Sequence, residues 1–471
     1  MRREFVCGNC AFILVAMAAA SVTVFFVVAG VPGRALAQED AALPAKVVGA
    51  GTTGDFSKFR KILASPTVNT PDPFKGFGGW CGWPDVCRLA NGDLFVTYCA
   101  GYWHGSWPTP LDMPPEEEAR WKKTPHAWIF DWDCPTGGKM MWIRSRDGGK
   151  TWTRPKAFPV VRGAYNVSEL VQLRDGTMLA AAYIQESFGY WDRMPTTPLE
   201  YTKIAANRLP EQNVIFRSED NGETWHEISR ITGVGGRVDG VYSMFQSPDG
   251  SVLAIYNVGP IPGGKGWPTH GQVYEIQPYR WLTIVARSQD QGQTWTTIAV
   301  VGSNEFDTTE ATGGYLPDGS IGFITRPAST WFQSFDHGHT WSSPRQIHPG
   351  VGLEEGPKLW RRGSLQVLPD GVVVVVYAGD YGQRGQVIYS RDSGKTWVKP
   401  VENRGFKFDP VAYYPDACVM ADGTLFAVGS HEGLGENEYG PEGAEVTAMR
   451  FRIKRPEEGE GIELLPIGGA D

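Results

Sequence analysis

SRDGGKTW, residues 145–152, returns four more times along the chain: as SEDNGETW (218–225), SQDQGQTW (288–295), SFDHGHTW (334–341) and SRDSGKTW (390–397). A single Asp/Gly/Thr cluster of this kind would suit a metal-binding or catalytic loop. Five copies in one order read instead as one part of a repeated structural unit. The chemistry of the octapeptide is that of a turn. Its Asp accepts hydrogen bonds from nearby backbone N–H groups, and its Gly permits a positive φ. The Ser and Thr hydroxyls add local bonds, and the Trp supplies a large ring for packing.

A second repeat alternates with the first. Two apolar runs flank a two-residue turn in VCRLANGDLFVTY (86–98), LVQLRDGTMLAAAY (170–183), MFQSPDGSVLAIY (244–256), GYLPDGSIGFITR (314–326), LQVLPDGVVVVVY (365–377) and CVMADGTLFAVGS (418–430). Asn-Gly or Asp-Gly between apolar strands is a strong hairpin signal. The turn glycines are Gly92, Gly176, Gly250, Gly319, Gly371 and Gly423. Each of the first five hairpins is followed by a strand-like run and then an octapeptide. A unit therefore reads as hairpin, third strand, octapeptide, fourth strand. Six such units predict an all-β chain folded as a six-bladed β-propeller, with the octapeptide turn in five blades. The sixth unit takes AEVTAMRFRI (444–453) as its third strand. Its outer strand is expected from the N-terminal segment, which closes the ring and leaves no exposed sheet edge.

The boundaries follow from composition. Residues 1–37 read as a signal peptide, with an apolar run at 11–30 and Ala35-Leu36-Ala37 before a cleavage point at Gln38. A secreted or periplasmic protein is expected, although the apolar run is also long enough for an N-terminal membrane anchor. Residues 38–72 read as a linker and closing segment, 73–455 as the propeller, and 456–471 as a C-terminal tail. No later segment is apolar enough to insert stably into a membrane. The formal net charge of −8 argues against a nucleic-acid partner, which demands a positive field. Seven Cys are present, and no Cys-x-x-Cys spacing follows residue 37, so no metal and no cofactor are expected. HExxH, P-loop, GxGxxG and GxSxG patterns are missing from the sequence. Seven Trp crowd into one region (Trp80, Trp83, Trp103, Trp107, Trp121, Trp128 and Trp132). They form either a sugar-stacking wall or a plug that orders a long insertion.

The turn glycine serves as a ruler for the blades. Glu310 stands nine residues before Gly319, and Tyr414 nine residues before Gly423. They hold the same position in blades 4 and 6, so the ring symmetry directs both towards the axis. A carboxylate beside a phenol can act as a base and raise the nucleophilicity of its oxygen.

The octapeptide resembles the Asp-box of sialidases and related propellers, and the likeness spans most of residues 75–453. It implies that the boxes lie away from the substrate face. It also implies roles for individual residues. Tyr414, in YYPDACVMADG, matches the nucleophilic Tyr, with Glu310 as its base partner. Arg326, sixteen residues after Glu310, and Arg384, eight before Asp392, match two arginines that grip a substrate carboxylate. The sequence departs from the family at the first blade. A Phe-Arg-Ile-Pro motif there carries the third arginine, but in WCGWPDVCRL the Arg position is Gly82, two residues before Pro84. Arg361 has the same offset in blade 5, so Arg361 or Arg362 is a candidate to compensate, unless the two form an ordinary surface pair. The acid/base of the family falls in the loop AGYWHGSWPTPLDMPPEEEARW (100–121), where Asp112 and His104 are the candidates. Trp83 and Trp103 are candidate substrate-binding rings. The resemblance thus implies a secreted, exo-acting glycoside hydrolase that takes a glycan partner and removes terminal sialic acid or a related acidic sugar. The alternatives are a sialidase-fold enzyme on a different sugar, including lyase chemistry with Tyr and His104, and a non-catalytic glycan-binding propeller.

Overall fold

The structure, a computed structural model, describes residues 55–65, 80–101, 139–159, 164–184, 212–232, 238–258, 268–269, 272–273, 282–302, 308–326, 329–347, 361–379, 385–398, 405–432 and 444–468. These residues belong to one compact unit spanning 46–471. The proposed signal peptide lies outside the described residues. Among those described, no helix is long and apolar enough to cross a membrane.

The six hairpins and their following strands form the six antiparallel blades of a β-propeller. Blade 1 runs Trp80–Arg88, Leu94–Gly101, Lys139–Ser145 and Lys156–Ala157. The inner strands of blades 2 to 6 are Ala164–Gln172, Val238–Gln246, Thr309–Tyr315, Arg361–Val367 and Tyr413–Val419. Each lies beside the axis, and together they line a channel of about 580 Å³. Blade 6 is completed from both chain ends. Its third strand, Ala444–Ile453, pairs with Lys61–Ala64 over one half and with Ile462–Leu465 over the other. The sequence placed Ile462–Leu465 in a tail. Four residues between a Gly-rich turn and a Pro are too short for a strand signal, and only the open edge of blade 6 gives them a partner.

The octapeptides join each blade to the one before it. In the copy at 218–225, Asp220 Oδ1 accepts from the Thr224 N–H (2.9 Å) and the Ser218 hydroxyl (2.8 Å), and Oδ2 accepts from the Thr224 hydroxyl (2.6 Å). Trp225 Nε1 donates to the Gly222 carbonyl at 2.9 Å, and the ring is buried between blades 1 and 2. Gly222 has φ +84°, and a Cβ there would lie 2.6 Å from the Phe95 ring of blade 1. Both the turn and the close approach therefore require glycine. The other four copies repeat the bonds from Ser, Thr and Trp.

A second set of inter-blade bonds encircles the axis, seven residues before the turn glycines. Asp416 Oδ2 accepts the Val86 N–H of blade 1 at 2.7 Å. The Ser243 hydroxyl accepts the Gly313 N–H of blade 4 at 2.8 Å, and the Ser364 hydroxyl donates to the Ala417 carbonyl of blade 6 at 3.3 Å. The apolar sheet faces between successive blades form the core. The N-terminal segment is tied in by Arg60, whose Nη2 and Nε donate to the fully buried Asp409 carboxylate at 2.6 and 3.1 Å.

Two predictions follow from these attachments. Arg60→Ala leaves a buried carboxylate without its cation, which should cost about 3 kcal/mol in urea unfolding. The hydroxyls of Thr151 and Thr340 hold Asp147 and Asp336 at a pKa of about 2, below the ordinary 3.8. Because the folded pKa is lowered, their stabilisation is complete above about pH 4 and is lost as the pH falls towards about 2. Asp336→Asn should therefore lower the urea midpoint at pH 7 and narrow the gap between the midpoints at pH 7 and pH 3.

Candidate active site

The first strands widen at the end opposite the octapeptides. In blades 1, 3, 4, 5 and 6, three inner-strand steps face two on the neighbouring strand: Gly82 to Asp85 against Cys99 to Thr97, Val238 to Val241 against Val258 to Tyr256, Thr309 to Thr312 against Arg326 to Ile324, Arg361 to Ser364 against Ala378 to Val376, and Tyr413 to Asp416 against Ser430 to Val428. Each is a β-bulge, which bends the strand and re-aims its side chains. In blades 1, 4, 5 and 6 the residue nine positions before the turn glycine lies inside it. In three blades that residue has a left-handed backbone: Trp83 (φ 49°), Glu310 (φ 45°) and Tyr414 (φ 45°). Such a backbone costs about 1–2 kcal/mol for a residue other than glycine. Strain of this kind, repeated at one level around an axis, marks a functional site more readily than a packing need.

The bulges are held from the preceding blade. The Ser430 hydroxyl of blade 6 accepts the Trp83 N–H at 2.7 Å. Asn213 of blade 2, fully buried, donates to the Asp239 carbonyl at 2.8 Å and accepts the Val241 N–H at 3.1 Å. Asn257 of blade 3 does the same for blade 4, bonding the Thr308 carbonyl and the Ala311 N–H.

Glu310 and Arg326 meet directly. Arg326 Nη1 donates to Glu310 Oε1 at 2.6 Å, with the Glu side chain 8 % and the Arg 22 % exposed. A charge-assisted bond of this length orients both groups and offsets the charge of each. Tyr414 stands between two rings, Tyr413 at 5.1 Å and Trp83 at 6.3 Å, both edge-on. Trp83 is 5 % exposed and packs with Cys99, Tyr183 and Ala444. It braces Tyr414 from the core side. Burial pushes the thiol of Cys81, in blade 1, up to about 12, which makes it a poor nucleophile at neutral pH.

Of the residues selected from sequence, the structure pairs Glu310 with Arg326 on blade 4 and Tyr414 of blade 6 with Trp83 of blade 1, at the same level of their strands. Arg361 and Arg362 begin the inner strand of blade 5 at the same level. Their side chains lie outside the description, as do Arg384, His104, Asp112 and Trp103 altogether. Gly82 pairs with Cys99 in the blade 1 bulge. One pair escaped the sequence reading. The Tyr242 hydroxyl donates to Asp239 Oδ1 at 2.8 Å on the inner strand of blade 3. Asp239 stands eleven residues before Gly250, two beyond the offset of Glu310, so the same ruler would have reached it.

No protein-family model and no curated protein sequence matches the chain. Several solved structures share its fold. A protein of unknown function from Dyadobacter fermentans superposes with a TM-score of 0.55 at 16 % identity, covering 84 % of this chain and 99 % of its own. The NanB sialidase of Streptococcus pneumoniae gives 0.52 at 12 % identity, covering 84 % and 70 %. The GH93 α-L-arabinofuranosidase of Fusarium graminearum, solved with arabinobiose, gives 0.51 at 15 % identity, covering 85 % and 98 %. The chain therefore shares its six-bladed propeller fold with these proteins.

If Trp83 braces Tyr414, its removal should open a cavity behind the site. Trp83→Ala should cost about 3–5 kcal/mol in chemical unfolding, and Trp83→Phe clearly less.

Proposed function

We propose that the protein is an exo-acting glycoside hydrolase whose reaction takes place at the bulged end of the propeller axis. The observation that carries this reading is the shared position of Trp83, Glu310 and Tyr414, nine residues before their turn glycines and all strained to φ 45–49°. In the reaction, the Tyr414 phenol attacks the anomeric carbon as its proton passes to a base. Glu310 is that base partner by sequence resemblance, and its bond to Arg326 keeps it oriented. The glycosidic bond breaks, and the leaving oxygen takes a proton from Asp112 or His104. Water then releases the sugar from the tyrosine. A tyrosine nucleophile is a recognised exception to the two-carboxylate scheme of glycosidases. The apolar run at 11–30 supports export of the enzyme to a compartment where glycans are met.

The sugar is sialic acid or a related acidic sugar if Arg326, Arg384 and an arginine of the 361–362 pair grip a carboxylate. A second reading, a neutral sugar such as an α-L-arabinofuranoside, is favoured by Gly82 in place of the first-blade arginine and by the likeness to the Fusarium enzyme.

Hydrolysis of 4-nitrophenyl sialosides, uronides and arabinofuranosides tests the proposal. The wild-type protein should turn over at least one. Tyr414→Phe and Glu310→Gln should each lower kcat by about 100-fold or more, as expected for loss of a nucleophile or its base. Glycan binding without turnover would identify a binding propeller instead. Unchanged turnover in Tyr414→Phe would remove the tyrosine from the mechanism.

A further inference from the structure

The hairpin end of the axis holds a cavity that the mechanism above does not use. Its volume is about 580 Å³, and its wall is the half of each inner strand that runs into the turn. Trp83, Glu310 and Tyr414 do not line it. Small-molecule sites commonly have volumes of about 300–1,000 Å³. Two lining positions stand out against the sixfold repeat. Four residues before the turn glycine, the blades carry Arg88, Gln172, Gln246, Tyr315, Val367 and Val419. The glutamines have a structural task. Gln172 Oε1 accepts the Ala90 N–H of blade 1 at 2.7 Å, and its Nε2 donates to its own Gly176 carbonyl at 3.0 Å. Gln246 does the same with the Arg174 N–H at 2.9 Å and the Gly250 carbonyl at 3.0 Å. A guanidinium has no acceptor atom, so Arg88 cannot take the neighbouring N–H. The valines of blades 5 and 6 show that the place needs no polar group for packing. Among the described residues the Arg88 guanidinium has neither a hydrogen bond nor an ion pair. Its Nη2 lies beside the turn, 4.0 Å from where a Cβ on Gly92 would stand.

The second position lies five residues before the turn glycine. Blade 3 has Phe245 there, where the other blades have Cys87, Val171, Gly314, Gln366 and Cys418. Phe245 lines the cavity and stands edge-on to Tyr315, with 5.6 Å between ring centres. On blade 5, Gln366 Nε2 donates to the Ser364 hydroxyl at 2.7 Å, which leaves Oε1 as an acceptor on the same wall. Among the described lining residues, Glu169 and Asp416 balance Arg88 and Arg174 in formal charge. Arg174 is already committed to Gln246 and to the Pro248 carbonyl. The wall thus offers a ring, a fork of unused N–H donors and an amide acceptor, without net charge. A sugar ring is apolar on its C–H faces and carries hydroxyls around its edge. It can lie against the negative face of an aromatic ring while its hydroxyls meet the fork and the amide.

We propose that this cavity is a second, non-catalytic binding site for a neutral mono- or disaccharide, which lies against Phe245 and takes hydrogen bonds from Arg88. The proposal does not rest on the glycosidase reading, because Glu310, Arg326 and Tyr414 lie off the cavity wall. Saturation-transfer NMR tests it, with methyl glycosides of neutral hexoses and pentoses, their disaccharides, glucuronic acid and sialic acid. Calorimetry then gives the Kd of each binder. At least one neutral glycoside should bind the wild-type protein. Arg88→Val should raise its Kd about tenfold or more, and Phe245→Val about fivefold. Neither should change kcat on any 4-nitrophenyl glycoside that the protein hydrolyses. Valine already stands at these places in other blades, as Val367 and Val419 for the first and Val171 for the second, so both variants keep a side chain that the fold accepts. Where a valine variant does not fold, Arg88→Gln carries the test. Its side chain would bond its own turn as in blades 2 and 3, and the Kd should again rise. Binding of no neutral glycoside, or of acidic glycosides alone, overturns the proposal. So does a Kd unchanged in either folded valine variant, or unchanged in Arg88→Gln where that variant is used. Binding lost in Glu310→Gln but kept in Arg88→Val places the sugar at the bulged end and also overturns it. If the protein hydrolyses nothing, the glycosidase reading fails, and the Kd values alone decide this proposal.

Discussion

Six twisted sheets make a closed ring only if the last is sealed to the first, and the remainder of the structure depends on that closure. The seal lies in blade 6, where strands from both ends of the chain share one partner, Ala444–Ile453. Arg60 adds an ionic tie to the buried Asp409 of the neighbouring blade. Asp416 completes the circuit on the axis by accepting a backbone N–H of blade 1. Without closure, blades 1 and 6 would each present an unpaired edge and an uncovered apolar face. With it, each sheet is covered on both sides, and the inner strands stand at fixed distances from a common axis.

That fixed ring lets local strain persist. A left-handed Tyr or Glu in an isolated hairpin would relax by shifting its register. Here the surrounding bonds forbid it: Ser430 holds the Trp83 bulge, and Asn257 holds the bulge that presents Glu310. The octapeptides at the far end contribute indirectly. Their Trp rings and glycines lock each blade against its predecessor, so the inner strands cannot slide. The fastening turns and the strained bulges thus lie at opposite ends of the same strands.

Much of this was legible in the sequence because repeats carry their own coordinates. The hairpin glycines gave the blade count, and the offset of nine singled out Glu310 and Tyr414. The family pattern added Arg326. Other features escaped for physical reasons. The strand Ile462–Leu465 has no signal of its own and exists because an edge awaits it. Trp83 looked like a ring for sugar stacking, but its burial behind Tyr414 follows from packing against Cys99 and Tyr183, which lie far from it in sequence. Asp239 was not singled out because it stands eleven rather than nine residues before its turn glycine, and its bond to Tyr242 forms across a bulge in the strand.

The sequence by itself determined the architecture: six hairpins, five fastening turns and the level at which each blade meets the axis. It could do so because turn chemistry and strand alternation are local properties, set within about ten residues. Only the tertiary structure decided which groups stand together at that level. The Glu310–Arg326 bond, the bracing of Tyr414 by Trp83 and the Asp239–Tyr242 pair depend on bulges held by the preceding blade. Those contacts join residues distant along the chain, and they exist only once the ring is closed.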